Sequence, residues 1–219
     1  MILGDIARLR QGVHRLAVEG FSPPTTDRLD GIATGLVALE EMGLDDFAFA
    51  TPWFGVGRVI DEVSVDELGI GYVRLFEAGV RGSACPPVEG AYGVDARVGD
   101  VAALQAQLRS LYLEIGSRPS GFAATPDHAS EEFGAMATLC AYEAAGHETG
   151  DVEASNWSLR RQGVLVSEHL GRWVPQFNAC VQAVDGIPLF FAALARAAHA
   201  FVVHELDWVT LAWESRPDR

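Results

Sequence analysis

YVRLFEAGVRGSACPPVEGAY, residues 72–92, is the stretch around which the chain is organised. Its first five residues have the spacing expected at the end of an amphipathic helix. Pro86 and Pro87 then fix their own φ angles and push the residues before them towards extended geometry. Glu89 and Tyr92 follow within the same short span. The stretch predicts a helix end followed by a stiff loop, which is either a linker between helices or a binding surface.

The rest of the chain has the periodicity of helices. Ser64 and Glu67 form the pattern of a capping box at a helix start, and Asp100 is suited to cap the next helix. Residues 125–128, TPDH, are expected to open another helix with Pro126 in its first turn. A break in helical structure is expected between Gly171 and Pro175, and a long apolar helix is expected after it.

The predicted fold class is therefore all-α, because no segment has the two-residue periodicity of a strand. We expect a single globular helical domain over residues 1–219. Residues 47–57, FAFATPWFGVG, have no clear period and form either a buried connection, which we expect, or part of a binding surface.

The composition limits the classes of protein to which the chain can belong. The chain has 219 residues, of which 49 % are hydrophobic and 21 % charged, as in a globular domain with a core. The formal net charge of −14 argues against nucleic acid and anionic membranes as partners. It favours a basic partner or simply serves solubility. All 16 basic residues are arginines, which excludes a P-loop of the GxxxxGK[ST] type, a Schiff-base lysine and a kinase-type lysine.

The cysteines and the apolar runs of the sequence indicate the cellular compartment in which the protein is expected. Cys85, Cys140 and Cys180 are odd in number, far apart and in no metal-binding spacing. This pattern predicts reduced, mostly buried thiols of a cytosolic protein. Charged residues interrupt the apolar positions at the N-terminus, so no secretory signal peptide is expected. No uncharged run approaches the length of about 18 residues that a membrane span needs, so we expect a soluble, cytoplasmic protein without a transmembrane helix.

Candidate site residues cluster at the helix start after residue 125. Asp127 and His128 form a carboxylate–imidazole pair where the end of a helix favours negative charge. The pair is either a helix cap with a surface histidine or a site aimed at a ligand. Glu131 and Glu132 are either solvated acids of the first turn or acid–base groups. The other histidines have no metal-binding spacing, and we predict neither a metal nor another cofactor.

Three blocks of sequence resemble the TorD/DmsD/NarJ family of cytoplasmic chaperones for molybdenum-cofactor enzymes. The first is YVRLFEAG…CPPVEGAY within residues 72–92, similar to the family's Y-x-R-L-F followed by PP-Y-E-S-x-Y. The second is TPDH at residues 125–128, similar to the start of PDH-L-x-x-E-L-x-F-M. The third is EHLGRWVPQF, residues 168–177, similar to H-L-x-x-W-x-P-x-F. Three positions depart from the family pattern: Val88, Gly90 and Ala129.

The resemblance implies a TorD-like helical bundle and a non-enzymatic chaperone. Such a protein binds the N-terminal twin-arginine leader of a molybdenum-cofactor oxidoreductase, or the apo catalytic subunit itself, until the cofactor is inserted and export can proceed. The implied partners are that subunit and its leader, without nucleic acid or stable membrane insertion. The family can exchange domains through a hinge between two helical halves, and residues 79–99 are the candidate hinge here. The implied state is therefore a monomer or a domain-swapped homodimer.

A twin-arginine leader combines an arginine pair with an apolar helical run, and the resemblance implies which residues bind each part. Carboxylates pair bidentately with guanidinium groups, so Glu89 and Asp127 are the candidates for the arginines. His128 is expected to orient Asp127 or to sense pH. The apolar run is expected to lie helix-in-groove. The implied groove residues are Tyr72, Leu75, Phe76, Pro86, Pro87 and Tyr92.

Two other classes of function stay open. One is a small all-helical, metal-dependent hydrolase that uses Asp127, His128 and one of the two following acids, Glu131 or Glu132. A bound metal or a deep acidic pocket would favour the hydrolase, whereas a shallow groove at the proline loop would favour the chaperone. The other class is a scaffold subunit, which stable co-purification with one partner would indicate.

Overall fold

Helices form most of the structure. The computed structural model describes residues 3–42, 47–77, 84–93, 100–117 and 125–214. In chain order its α-helices are α1 (Leu3–Gly20), α2 (Thr26–Glu41), α3 (Ala50–Ile60), α4 (Val65–Phe76), α5 (Val101–Glu114), α6 (Ala129–Thr149), α7 (Val152–Leu165), α8 (Gly171–Gln182) and α9 (Leu189–Glu214). A 3-10 turn, Glu89–Ala91, follows α4, and a π-helical turn, Val166–Leu170, joins α7 to α8. These ranges contain no strand, so the predicted all-α fold is confirmed.

Local sequence signals set two helix starts as predicted. At the start of α4 the Ser64 hydroxyl accepts a hydrogen bond from the Glu67 N–H, and the Glu67 carboxylate accepts one from the Ser64 N–H. Asp100 caps α5 by accepting a hydrogen bond from the backbone N–H of Ala103. These bonds satisfy backbone groups that a helix start otherwise leaves unpaired.

The start of α6 differs from the prediction. The helix begins at Ala129, and its cap is the imidazole of His128, which accepts a hydrogen bond from the Ser130 N–H. Pro126 therefore lies before the helix rather than in its first turn. The reason is tertiary, because Val88 and His128 form an isolated antiparallel bridge that holds this backbone extended.

The predicted break between Gly171 and Pro175 lies one turn earlier. The π-helical turn ends where the Gly171 N–H donates to the carbonyl of Val166, and Pro175 lies inside α8. A Cβ at position 171 would lie 2.7 Å from that carbonyl oxygen and 3.0 Å from Cδ1 of Leu206. The close approach of backbone and α9 therefore requires glycine at this position.

The core is built around two long helices. α1 packs along α6, while α3 and α8 both pack on α9. Trp53 of α3 is fully buried, so the segment of residues 47–57 contributes to the core, although Phe47 is exposed and most of the segment forms a helix rather than a connection. Leu189–Ala212 of α9 is long and apolar enough to cross a membrane by length and composition alone. Its phenylalanines, including Phe190 and Phe201, are buried among the other helices, as in the core helix of a soluble domain.

The prediction of three reduced cysteines is wrong for two of them. Cys85 and Cys180 form a disulfide with their Cα atoms 5.9 Å apart, across a sequence separation of 95 residues. Cys140 is free and buried. The pairing of distant cysteines depends on where the fold places their Cβ atoms, and sequence spacing does not reveal this.

The candidate hinge coincides only partly with the described structure. Its residues 79–83 and 94–99 lie outside the described residues, so the hinge and the number of domains remain predictions. Residues 84–93, which we call the closing loop, are described. This loop carries the two prolines, Glu89 and Tyr92.

Candidate functional site

Backbone hydrogen bonds fix the closing loop to the start of α6. The Glu89 N–H donates to the carbonyl of Asp127 at 2.8 Å, and the Ala129 N–H donates to the carbonyl of Pro87 at 2.8 Å. The two bonds flank the bridge between Val88 and His128. They bring the first and second sequence blocks side by side, although α5 separates the blocks along the chain.

The Asp127 carboxylate lies beneath the closing loop. Its side chain is buried, with Oδ2 accepting a hydrogen bond from the Gly90 N–H at 3.2 Å and Oδ1 accepting one from Nε2 of Gln105 at 3.0 Å. A Cβ at position 90 would lie 3.0 Å from Asp127 Oδ2. This close approach gives a physical reason for glycine at a position where the sequence departs from the family pattern.

Residues of the third block complete the site. Nδ1 of His169 lies 2.8 Å from Oε2 of Glu89, and both side chains are buried. Nε1 of Trp173 donates to Oε2 of Glu132 at 3.1 Å, and the ring of Tyr92 stacks on that of Trp173 with centroids 5.8 Å apart. All three blocks thus meet at one place. We call six residues there the block junction: Glu89, Tyr92, Asp127, Glu132, His169 and Trp173.

Burial shifts the titration of two groups in this region. Burial, and then the charge of Glu89, raise the pKa of Glu132 well above its usual value, while the hydrogen bond from Trp173 opposes this rise. Burial therefore shifts the equilibrium of Glu132 towards its uncharged form. Burial also lowers the pKa of His128 to about 4, despite the neighbouring charge of Asp127. The imidazole of His128 is therefore neutral at pH 7.

The block junction keeps spare hydrogen-bonding capacity. Within the described part of the chain, three of its buried polar atoms have no hydrogen-bond partner: Oε1 of Glu132, Nε2 of His169 and the hydroxyl of Tyr92. Buried polar groups in native proteins are normally hydrogen-bonded, and each unpaired group costs about 1–3 kcal/mol. A bound polar group could therefore be accommodated here.

Most of the residues implied for peptide binding lie inside the protein. Six of them are buried: Tyr72, Leu75, Phe76, Pro87, Glu89 and Asp127. Pro86, Tyr92 and His128 are partly exposed. The structure brings Glu89 and Asp127 together, but the shallow open groove expected at the proline loop is closed in this conformation. The reason is that the apolar stripe of α4 faces the core and the closing loop covers the end of that helix.

A second buried polar cluster, which sequence reasoning missed, joins α1, α6, α7 and α9. The guanidinium of fully buried Arg10 binds both carboxylate oxygens of Glu205, at 2.8 and 2.7 Å, and one oxygen of Glu143 at 2.8 Å. Gln162 donates to the same Glu143 oxygen at 2.9 Å. The signal available in the sequence is that Arg10 and His14, four positions apart, share a face of α1 with apolar residues.

The charges and contacts of this cluster disfavour a metal ion. Ligand atoms of His14, Cys140 and Glu205 lie within 4.8 Å of one another, as metal ligands do. However, Arg10 already places its positive charge on both oxygens of Glu205. Burial raises the pKa of the Cys140 thiol well above its usual value, although Arg10 opposes the rise. The cluster is therefore a structural ion-pair network between helices.

Comparisons with known proteins agree with the three-block pattern. The sequence profile of the family described as "Nitrate reductase delta subunit" matches residues 43–179, which include all three blocks. A crystal structure described as that of a "putative redox enzyme maturation protein" from Archaeoglobus fulgidus has a similar fold, with a TM-score of 0.55 and 18 % sequence identity. The similarity covers 89 % of this chain and 93 % of that protein. No curated protein matches by sequence. Because the family profile spans more than half of the chain, the protein belongs to the nitrate reductase delta subunit family, the NarJ-type family that its three sequence blocks resemble.

Proposed function

We propose that this protein is a cytoplasmic maturation chaperone for a molybdenum-cofactor oxidoreductase. It binds the apo catalytic subunit, or the twin-arginine leader of that subunit, until the cofactor is inserted. The observation that carries the proposal is the convergence of the three family blocks on the closing loop, where Glu89 meets His169 and Asp127 meets Gly90. Membership of the family and the fold shared with a redox enzyme maturation protein support this assignment.

Two carboxylates, one on the closing loop and one beneath it, suit an arginine pair. Glu89 and Asp127 are neighbours through the backbone hydrogen bond between them. The partners of the Asp127 carboxylate are neutral donors, the Gly90 amide and the Gln105 side chain. A guanidinium can form a bidentate ion pair with a carboxylate, which neither neutral donor can, so leader arginines can compete for Asp127 once the closing loop moves outward. The net charge of −14 favours approach of a basic leader from a distance.

An apolar run of the leader has a surface available next to these carboxylates. Pro86, Val88 and Tyr92 are partly exposed on the closing loop, and Val101 at the start of α5 is 40 % exposed. Apolar anchors on a rigid loop suit helix-in-groove recognition. The buried residues Leu75 and Phe76 would extend this surface only in an open form of the loop.

The alternative of a metal-dependent hydrolase gains no support from the geometry. His128 uses Nδ1 to cap α6 through Ser130, whereas Glu132 points into the core and bonds Trp173. Asp127 is engaged by the closing loop. The side chains implied for that chemistry therefore face different neighbours and share no common ligand position in this conformation.

Calorimetric titration with the leader peptide of a neighbouring molybdoenzyme tests the proposal, with a twin-lysine peptide beside it. We expect the twin-lysine peptide to bind more weakly, because lysine cannot form the bidentate pair. The double variant Glu89→Gln, Asp127→Asn keeps the shapes of both side chains and removes both charges. It should bind the arginine leader roughly ten- to hundredfold more weakly.

The matched control is Asp61→Asn, Glu62→Gln, which removes the same charge from exposed residues. Equal affinities of the two double variants would exclude the acidic pair as the arginine site. If neither the leader nor the whole apo catalytic subunit is retained by the protein, the chaperone assignment itself fails.

A further inference from the structure

The disulfide ties one end of the closing loop to α8. Cys85, at the start of the loop, is fully buried, whereas Cys180, near the end of α8, is partly exposed. The backbone N–H of Cys85 also donates to the carbonyl of Leu75 at 2.9 Å. The start of the closing loop is thus held between α4 and α8, and its link to α8 is covalent.

Aromatic side chains lie under the same loop. Tyr92 stacks on Trp173 and meets Phe177 edge-on, with ring centroids 6.0 Å apart in the second pair. Phe177 in turn contacts Phe76 at 5.9 Å. We call Phe76, Trp173 and Phe177 the covered aromatic cluster, because each is buried. While the loop is seated, an apolar ligand cannot reach these rings.

The other attachments of the closing loop are non-covalent. They include the backbone bonds to Leu75 and to the start of α6, the bond from Gly90 to Asp127, the contact between Glu89 and His169, and the ring contacts of Tyr92. Such bonds open and close reversibly, because water can replace each partner. Among the described attachments of the closing loop, the disulfide is therefore the constraint that thermal motion cannot break. A chemical reduction can break it.

We propose that the Cys85–Cys180 disulfide is a redox latch, which keeps the closing loop over the covered aromatic cluster until a dithiol reductant opens it. The inference rests on the proposed function, in which the exposed cluster receives the apolar run of a client. In the reducing step, one thiolate of a protein dithiol attacks the sulfur of Cys180 and the thiolate of Cys85 leaves. The second thiol of the reductant then resolves the mixed disulfide. The protein gains two electrons and two protons, and the reductant becomes a disulfide.

Accessibility and compartment both favour exchange at this bond. Attack needs access to one sulfur, and Cys180 offers it because its residue is partly exposed. In a reducing cytosol, disulfides are rare and those that occur are typically transient, catalytic or redox-sensing. A latch of this kind would couple client binding to the redox state of the cell, which suits a protein that matures redox enzymes.

The third cysteine provides an internal control. Cys140 is buried in α6 beside Arg10 and takes no part in the disulfide, and burial raises the pKa of its thiol. The native oxidised protein should therefore show no thiol that reacts with iodoacetamide, and the native reduced protein should show two. The third should react only after denaturation.

Hydrogen exchange followed by mass spectrometry tests the latch on the full-length protein, before and after treatment with dithiothreitol. We expect the amides of the closing loop to exchange at least tenfold faster after reduction, while α6 and α9 stay protected. Fluorescence of the apolar dye ANS and affinity for a synthetic twin-arginine leader peptide should rise in parallel, by at least tenfold for the peptide. Re-oxidation should reverse all three changes.

Variants separate the latch from general destabilisation. The double variant Cys85→Ser, Cys180→Ser should behave as reduced protein with or without dithiothreitol, whereas Cys140→Ser should respond like the native chain. If the double variant loses its helical circular dichroism signal, it does not fold and cannot test the latch. The reversible reduction of the native protein is then the test. Equal exchange of the closing loop in both redox states overturns the proposal, as does air-oxidised protein with two or more reactive thiols.

Different experimental results would contradict the latch and the proposed function. If reduction frees the loop but neither redox state binds the leader or the catalytic subunit, the latch stands and the chaperone assignment falls. If both redox states bind the leader equally with the same loop protection, the chaperone assignment stands and the latch is overturned.

Discussion

Trp173 donates a 3.1 Å hydrogen bond from its indole Nε1 to Oε2 of Glu132, and this bond joins α8 to α6 inside the protein. The second oxygen of Glu132 has no hydrogen-bond partner within the described residues. Burial and the charge of Glu89 raise the pKa of this carboxyl. The protein therefore stabilises an acid in its uncharged form next to two other carboxylates of the block junction, Glu89 and Asp127.

Replacement of Glu132 by glutamine should remove a pH dependence of stability. The folded-state pKa lies above the unfolded value, so the contribution of Glu132 is fully present below the unfolded pKa of about 4.5 and is lost as the pH rises through the folded pKa. Glutamine keeps the acceptor for Trp173 and does not ionise. Glu132→Gln should therefore gain stability over the native protein as the pH rises from 5.

Urea unfolding from pH 5 to pH 9 measures this difference. Glu168→Gln is the control, because Glu168 is exposed and its substitution should leave the profile unchanged. Parallel curves for Glu132→Gln and the native protein would contradict the uncharged state of Glu132.

His128 should make the fold sensitive to acid. Its folded pKa of about 4 lies below the unfolded value of 6.5, so its contribution is present above pH 6.5 and is lost as the pH falls towards 4. The loss amounts to about 3.5 kcal/mol at most, at about 1.4 kcal/mol per pH unit. Asparagine is also a good helix cap and does not titrate. His128→Asn should therefore flatten the decline between pH 6.5 and pH 4, as measured by urea unfolding, and an unchanged slope would show that His128 does not cause it.

Arg10 should contribute far more stability than its neighbour Arg8 on the same helix. Arg10→Met leaves the buried carboxylates of Glu205 and Glu143 without their cation, which typically costs about 3–5 kcal/mol. Arg8 pairs with Glu148 on the surface, where about half of each side chain is exposed, so Arg8→Met should cost at most about 1 kcal/mol. Urea unfolding at pH 7 compares the two variants. Similar losses for both would show that the buried network does not hold α1 to α6 and α9.

Two glycines of α4 should respond to alanine with opposite signs. A Cβ at Gly71 would lie 2.7 Å from Cγ and Cδ of Pro188 and 3.1 Å from the ring of Phe191, so Gly71→Ala should destabilise by about 1–3 kcal/mol through overpacking. A Cβ at Gly69 meets nothing within 4 Å, so Gly69→Ala should stabilise by up to about 1 kcal/mol through helix propensity. Thermal unfolding of both variants checks the sign, and a gain in Tm for Gly71→Ala would refute the close packing of α4 on the start of α9.

Local sequence signals were enough to predict most of the helices and to recognise the family. The capping box at Ser64 and the cap at Asp100 act within a few residues, so their hydrogen bonds could be predicted from spacing alone. The glycine-rich segment that became α3 was missed as a helix, because its helical state depends on packing against α9 rather than on propensity. For the same reason, the extended backbone at His128, which shifts the start of α6, required knowledge of the bridge to Val88.

The candidate site could be located but not described from the sequence. The three blocks marked the right residues, yet the spacing of Glu89 and Asp127 did not show that both carboxylates are buried and already hydrogen-bonded. Leu75 and Phe76 were assigned to a groove although the stripe that contains them faces the core. A helical stripe shows which side chains share a face, but not what that face meets.

By itself, the sequence determined the all-α class, two of the capped helix starts and membership of a chaperone-like family, because periodicity, capping and motif order are properties of neighbouring residues. Only the tertiary structure decided that Cys85 bonds Cys180 across 95 residues and that Arg10 binds Glu205 across 195. The physical reason is that a covalent or ionic pair forms where the packed helices place two side chains within a few ångströms. That placement depends on the core as a whole and not on any local pattern.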